Sequence, residues 1–211
     1  MIKEIYLIRH GQTEMNKLGF VQGSIDTNLD ETGRKQAEDF FKTYQDVPFD
    51  KIYTSKLKRT KQSLDGFIQK GIPFQQLYGL NEISWGEKEG RALTDADNDY
   101  YNQMIEEWDN GNYDFPAGKG GESPAQVQSR QITAWEYLMS NMHEERILVA
   151  MHGRAIRILL SYLMDTPLSE MNQYKHQNLC LYIIQYDTET DEYTIVEANK
   201  IDHLQNSSLP I

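Results

Sequence analysis

The chain has 211 residues, 39% of them hydrophobic, and a formal net charge of −11. That length supports one compact core, read as a single domain over residues 1–211, and the acidic balance argues against nucleic acid or an anionic membrane surface as a partner, because phosphate backbones reward clustered Lys and Arg. Cys180 is the single cysteine, so no internal disulfide can form, and the lack of an apolar leader or a run of membrane-spanning length leads to the expectation of a soluble, cytoplasmic protein.

Residues 2–8 read as a strand, and residues 30–44 as a helix with Asp30 as N-cap and an apolar stripe at Ala37, Phe40, Phe41 and Tyr44. A second strand is expected over 49–54, followed from Ser55 by a helix that buries Leu57, Leu64, Phe67 and Ile68. Residues 73–78 suit a short strand. The stretch from about 80 to 122 is rich in Gly, Asp, Asn and aromatics, with one helical segment around 97–108, and reads as a lid or specificity region. Ser123, Pro124 and Gln126 form a capping-box start for a helix to about Met142. Residues 147–151 form an apolar run suited to a strand covered on both faces, with a helix to Leu163 after it. Residues 179–186 and 192–198 read as a closing hairpin.

Two of these strands end in the same dipeptide. Ile5–Ile8 runs through Arg9 into His10-Gly11, and Ile147–Met151 runs into His152-Gly153. In open α/β sheets the ligand site lies beyond the carboxyl ends of parallel strands, so the two histidines are expected in one pocket, with glycines that let backbone approach a ligand or adopt positive φ. Either histidine alone reads as well as a satisfied structural residue; their shared position shifts the balance. Arg59, in the first turn of the helix after the second strand, joins Arg9 at the same edge, where two planar guanidinium forks and a helix N-terminus suit an anion such as phosphate.

The segments "LIRHGQTEMN", "VQGSIDTNLDETGRKQA", "YTSKLKRT", "LNEISWGEKEG", "GGES" and "MHGRAIR", in that order, resemble the histidine phosphatase superfamily, the phosphoglycerate mutase-like proteins. The fold this implies is α/β, a three-layer α/β/α sandwich around a mostly parallel sheet. The resemblance makes His10 the nucleophile that accepts the phosphoryl group, places Arg9, Arg59 and His152 around the phosphate, and makes Glu82 the proton donor. A free glutamate titrates near about 4.3, so that last role requires burial or the substrate's charge to raise it. Asn16, Gln22 and Gly23 match positions that hold phosphate and leaving group, with Gly153 and Arg154 beside the second histidine. No metal or other cofactor is implied. Glu87 and Glu89 are read as solvated carboxylates, and Asp26 and Gln36 as turn and packing residues. Arg154 departs from the small residue the phosphatases often carry there; it either binds a second phosphate or carboxylate of the substrate or, the reading preferred, lies on the helix surface beside Glu144 or Glu145. Arg157 is read as surface or structural.

Chain length, the Gln22-Gly23 turn and the acidic tail favour a phosphatase acting on a small phosphomonoester over a cofactor-dependent mutase; a non-catalytic phosphate-binding module ranks below both. The lid aromatics Tyr100, Tyr101, Trp108, Tyr113 and Phe115 are read first as packing under the lid and second as substrate contacts. The oligomeric state is left open.

Overall fold

The computed structural model describes residues 1–204, so residues 205–211 of the expected single domain lie outside the described ones. In chain order the elements are β1 (Ile2–Arg9), α1 (Glu14–Lys17), α2 (Glu31–Tyr44), β2 (Lys51–Thr54), α3 (Lys58–Ser63), α4 (Asp65–Gln69), β3 (Phe74–Gln76), α5 (Asp95–Asp109), α6 (Pro124–Met139), β4 (Arg146–Met151), α7 (Gly153–Leu163), β5 (Leu181–Asp187) and β6 (Glu192–Lys200). They build one six-stranded sheet in the order β3-β2-β4-β1-β5-β6, in which β3, β2, β4 and β1 run parallel and β5 and β6 are antiparallel additions.

Helices cover both faces, and the alternation along β4 shows how. Ile147, Val149 and Met151 pack on one side with Trp135 and Leu138 of α6 and Ala155, Ile156 and Leu159 of α7. Leu148 and Ala150 pack on the other with Phe40 of α2, Leu64, and Phe67 of α4. Because the pleat sends successive side chains to opposite faces, a strand covered on both must be apolar throughout, which is why this run carries no polar alternation. At about 25 cal/mol per Å² of apolar surface removed from water, these two clusters supply the main driving force for the fold.

The stretch over residues 80–122 has a core of its own. Ile83, Met104, Trp108 and Ala117 pack against Val127 of α6 and Ile158 of α7. The aromatics there turn their polar tips onto backbone: Trp108 Nε1 donates to the Phe115 carbonyl at 2.8 Å, and Tyr100 Oη to the Pro116 carbonyl at 3.1 Å. Trp108, Tyr100, Tyr113 and Phe115 therefore pack in this cluster, whereas Tyr101 is exposed and lies outside it. Among the described residues no helix is long and apolar enough to cross a membrane.

Several boundaries differ from the sequence reading. The helix expected from Ser55 is two pieces, because Leu64 leaves helical backbone at φ −119° and ψ 11°. The second strand starts at Lys51 rather than 49 and the helix after Ser123 stops at Met139 rather than 142. The closing hairpin begins at Leu181, since Leu179 sits at φ 54°, outside strand geometry, and its second arm runs on to Lys200.

Candidate active site

Parallel pairing sets the site. β1 and β4 are hydrogen-bonded neighbours with Arg9 opposite Met151, so the next residues in each chain, His10 and His152, leave the sheet side by side. The His10 amide donates to the Met151 carbonyl at 3.1 Å, and the two imidazole rings stand 5.1 Å apart. Their glycines serve the protein rather than a ligand. A Cβ on Gly11 would stand 2.7 Å from the Gly33 carbonyl oxygen, and one on Gly153 would stand 2.8 Å from the His176 ring; neither glycine has a positive φ.

His10 is buried, with Nδ1 2.7 Å from the Gly11 carbonyl. A carbonyl only accepts, so Nδ1 carries the proton and Nε2 carries the lone pair. Burial, then the nearby Arg59 and Arg9 cations, hold its pKa well below the ordinary histidine value, so the ring is neutral at neutral pH. Among the described residues no hydrogen-bond partner meets Nε2. Asn178 Nδ2 fixes the backbone by donating to the His10 carbonyl at 3.0 Å, and Gly11 N donates to Ser63 Oγ at 2.9 Å.

His152 shares the burial but not the partners. Arg59 Nε donates to its Nδ1 at 3.2 Å, which leaves Nε2–H to donate to Ser55 Oγ at 2.8 Å. Both nitrogens are therefore spent within the protein. Its pKa is also held well below the ordinary value, by burial first and Arg59 second.

Arg59, only 1% exposed, is the hub of the site. Besides His152 it holds the 22–25 turn, through Nη2 to the Gly23 carbonyl at 2.8 Å and Nη1 to the Ile25 carbonyl at 2.7 Å. Burial lowers its pKa to about 10, which still leaves it charged at neutral pH. Arg9 points Nη1 at His176 Nδ1, 3.3 Å away, while its buried Nε has no partner among the described residues.

Arg9, His10, Asn16, Val21, Gln22, Gly23, Arg59, Glu82 and Trp85 line one cavity of about 140 Å³. Of the residues expected from sequence, His152, Gly153 and Arg154 stand behind this lining rather than in it. Asn16 closes a capping box with Thr13 at the start of α1, and Gln22 Nε2 donates to Thr13 Oγ1 at 3.1 Å. Glu82 sits at the N-terminus of α7: Oε1 accepts from Ala155 N at 2.8 Å and Ile83 N at 3.0 Å, and Oε2 from Arg154 N at 3.1 Å. A carboxylate is well placed there, where unpaired amides and the helix dipole favour negative charge. Among the described residues no three His, Cys, Asp or Glu side chains converge as a metal-ligand set.

Three sequence readings need correction. Glu89 is not a solvated carboxylate: it accepts from Ser24 N at 3.1 Å, Ser24 Oγ at 2.9 Å and Trp85 N at 2.7 Å, tying together the two loops that supply Gly23 and Trp85 to the cavity. Arg154 does not pair with Glu144 or Glu145; Glu144 is buried and takes the Tyr53 hydroxyl at 2.6 Å, while Arg154 reaches Asn172 Oδ1 at 3.0 Å and lies over the rings of Trp85 and Trp108. Gln36 does more than pack the helix, since its Oε1 accepts from Gln12 N at 2.9 Å and so braces the loop after His10. The site also contains His176 and Asn178, which lie in no recognisable motif and arrive from a loop far along the chain.

A buried neutral imidazole with a free lone pair, two flanking guanidiniums and a carboxylate surround one small cavity, an arrangement chemically able to hold a phosphate and attack it. The sequence model of the histidine phosphatase superfamily (branch 1) matches residues 5–200, and the chain belongs to that superfamily. A probable phosphatase of Schizosaccharomyces pombe is 28% identical over 92% of this chain and 88% of its own length. A 2,3-bisphosphoglycerate-dependent phosphoglycerate mutase of Bradyrhizobium diazoefficiens is 33% identical over 75% of this chain and 80% of its own. Among solved structures, Bacillus stearothermophilus YhfR superposes with a TM-score of 0.81 at 26% identity, covering 96% of this chain and 99% of that one. The chain is thus similar to enzymes of both the phosphatase and the mutase type.

Proposed function

We propose that this protein hydrolyses small phosphomonoesters in two steps through a phosphohistidine at His10, without a metal. The observation that carries the reading is the His10 ring: Nδ1–H is fixed on the Gly11 carbonyl, so the Nε2 lone pair needs no deprotonation before attack. In the first step Nε2 bonds to phosphorus as the bond from phosphorus to the ester oxygen breaks, and Glu82, brought to its acid form by the negative charge of the bound phosphate, protonates the departing alkoxide. In the second, water attacks phosphorus, the N–P bond breaks, and Glu82 takes the proton from the water. Arg9 and Arg59 supply fixed positive charge to the equatorial oxygens, and because the transition state is loose, such placement is most of the catalysis. His152 and Ser55 act by holding Arg59.

The test is phosphate release from a panel of phosphomonoesters in EDTA, with wild type and His10→Ala side by side. Hydrolysis that survives EDTA and is lost in the variant supports the reading; no release from any ester overturns it. The 33% identity to a phosphoglycerate mutase favours a second reading, transfer of the phosphoryl group back to substrate. That reading requires priming by a bisphosphate and a phosphoenzyme that persists in water, which a bisphosphoglycerate-primed isomerisation assay would reveal.

A further inference from the structure

Beyond the phosphate cavity lies a group of cations that the two-step chemistry does not use. Arg154 and Arg157, on the first two turns of α7, converge on one neutral amide: Arg154 Nη1 lies 3.0 Å and Arg157 Nη1 2.8 Å from Asn172 Oδ1. His176 joins them, and Arg9, which lines the cavity, donates to its Nδ1. With Nδ1 accepting, His176 keeps Nε2–H as a further donor. Burial first and then Arg9, Arg157 and Arg154 push its pKa down to about 3, so the ring is neutral and its Nε2–H is the donor it offers. Arg154 also lies over Trp85, a residue of the cavity wall, and Tyr101 of the lid stands close enough to Arg157 to influence its charge. The group therefore adjoins the phosphate cavity through two of its wall residues, Arg9 and Trp85.

Its anomaly is electrostatic. The chain carries 32 acidic residues against 21 Lys and Arg, and three of its other four arginines close on carboxylates, Arg91 on Asp97, Arg130 on Glu122 and Arg146 on Glu4, while Arg34 donates to the Leu29 carbonyl. Among the described residues none of Arg9, Arg59, Arg154 or Arg157 has a carboxylate within salt-bridge distance. Arg154 and Arg157 are half-buried, so solvent screens their mutual repulsion only in part. A surface role alone would not require like charges gathered on an amide in an acidic protein.

Resting on the phosphatase reading above, we infer that Arg154, Arg157 and His176 form a second anion subsite, and that the preferred substrates are phosphomonoesters carrying a second anionic group, a carboxylate or another phosphate. The phosphoryl group sits at His10 between Arg9 and Arg59, and the second anion takes the forks of Arg154 and Arg157 and the His176 Nε2–H. Planar guanidinium forks recognise either anion bidentately.

The test compares kcat/KM for matched esters with and without the second anion: phosphoserine against phosphoethanolamine, 3-phosphoglycerate against glycerol 3-phosphate, and fructose 1,6-bisphosphate against fructose 6-phosphate. In wild type the anionic member of at least one pair is favoured by about 10- to 100-fold, the range that a charge-assisted hydrogen bond gives, and the pair that shows it names the anion. That ratio falls toward one in Arg154→Gln and Arg157→Gln, and falls less in the lysine variants, which keep charge without the fork. A wild-type ratio near one for all three pairs, or a ratio that neither glutamine variant moves, overturns the inference. Calorimetric affinities of the same pairs for wild-type protein carry the comparison independently of turnover. An enzyme that hydrolyses every ester without preference refutes the subsite and leaves the phosphatase reading standing; one that hydrolyses none yet binds the anionic members about 10-fold more tightly supports the subsite and refutes the phosphatase.

Discussion

Strands β1 and β4 lie side by side in parallel register and both run into His-Gly, yet the two histidines leave the sheet with different partners. His10 meets a backbone carbonyl, which can only accept, and so keeps a lone pair at the cavity. His152 meets a guanidinium on one side and a hydroxyl on the other, so its ring is consumed in holding Arg59. The dipeptide and the sheet position are the same; the groups brought to Nδ1, a carbonyl in one case and an Arg59 N–H in the other, separate the ring proposed as nucleophile from the ring proposed to position Arg59.

The largest break in this comparison comes from His10→Ala, which removes the lone pair: turnover falls by about 10⁴-fold or more, read as initial phosphate release, while far-UV circular dichroism is unchanged. Glu82→Gln comes next, with a loss of about 10²- to 10⁴-fold on alkyl esters and a much smaller one on p-nitrophenyl phosphate, whose leaving group needs no proton. An equal loss on both esters would remove Glu82 from proton transfer. His152→Asn is smaller again, about 10²-fold, because Arg59 is displaced rather than the reacting atom; Ser55→Ala, which loses only the hydroxyl behind that ring, costs about 10-fold. If His152→Asn matched His10→Ala in severity, the division of roles would be wrong.

The smallest effect is on stability against pH. His10 and His152 have folded-state pKa values depressed well below 6.5, so the unfolded chain binds their protons first as pH falls. Their contribution is complete above the unfolded value and is lost below it, at up to about 1.4 kcal/mol per pH unit for each ring. Denaturant midpoints should therefore fall between pH 7 and pH 5, and saturating phosphate, by binding the folded cavity, should offset part of the fall. A midpoint that held steady or rose over that interval would contradict the neutral, buried assignment of both rings. For the same reason the acid limb of kcat/KM should show no ordinary histidine titration near 6.5.

The same contrast explains what was legible in the sequence. The paired strands could be read because a strand covered on both faces is apolar at every position, as Ile147–Met151 is, and the shared sheet edge followed from strand polarity. Arg59 could be placed because the first turn of a helix after a parallel strand points at that edge. What decides the roles of the histidines was not legible, since the Gly11 carbonyl and the Arg59 side chain reach their rings through loop geometry that no local pattern encodes. His176 and Asn178 are similar: they reach the site because the loop before β5 folds back through Leu179, a buried leucine at positive φ, whose carbonyl accepts from His203 at 2.8 Å. Such backbone is strained for a branched side chain and is held by tertiary contacts alone. Glu89 was misread because a carboxylate that clamps two loops has the same sequence surroundings as one that faces water.

The most direct test of the central claim is to trap the intermediate. Wild-type protein mixed for milliseconds with a phosphorus-labelled ester and quenched in alkali, which preserves phosphohistidine, should carry label on a single peptide containing His10, with the phosphorus on Nε2 by ³¹P NMR. Label on His152, or an enzyme that turns over with no covalent phosphate at any time point, would contradict the account.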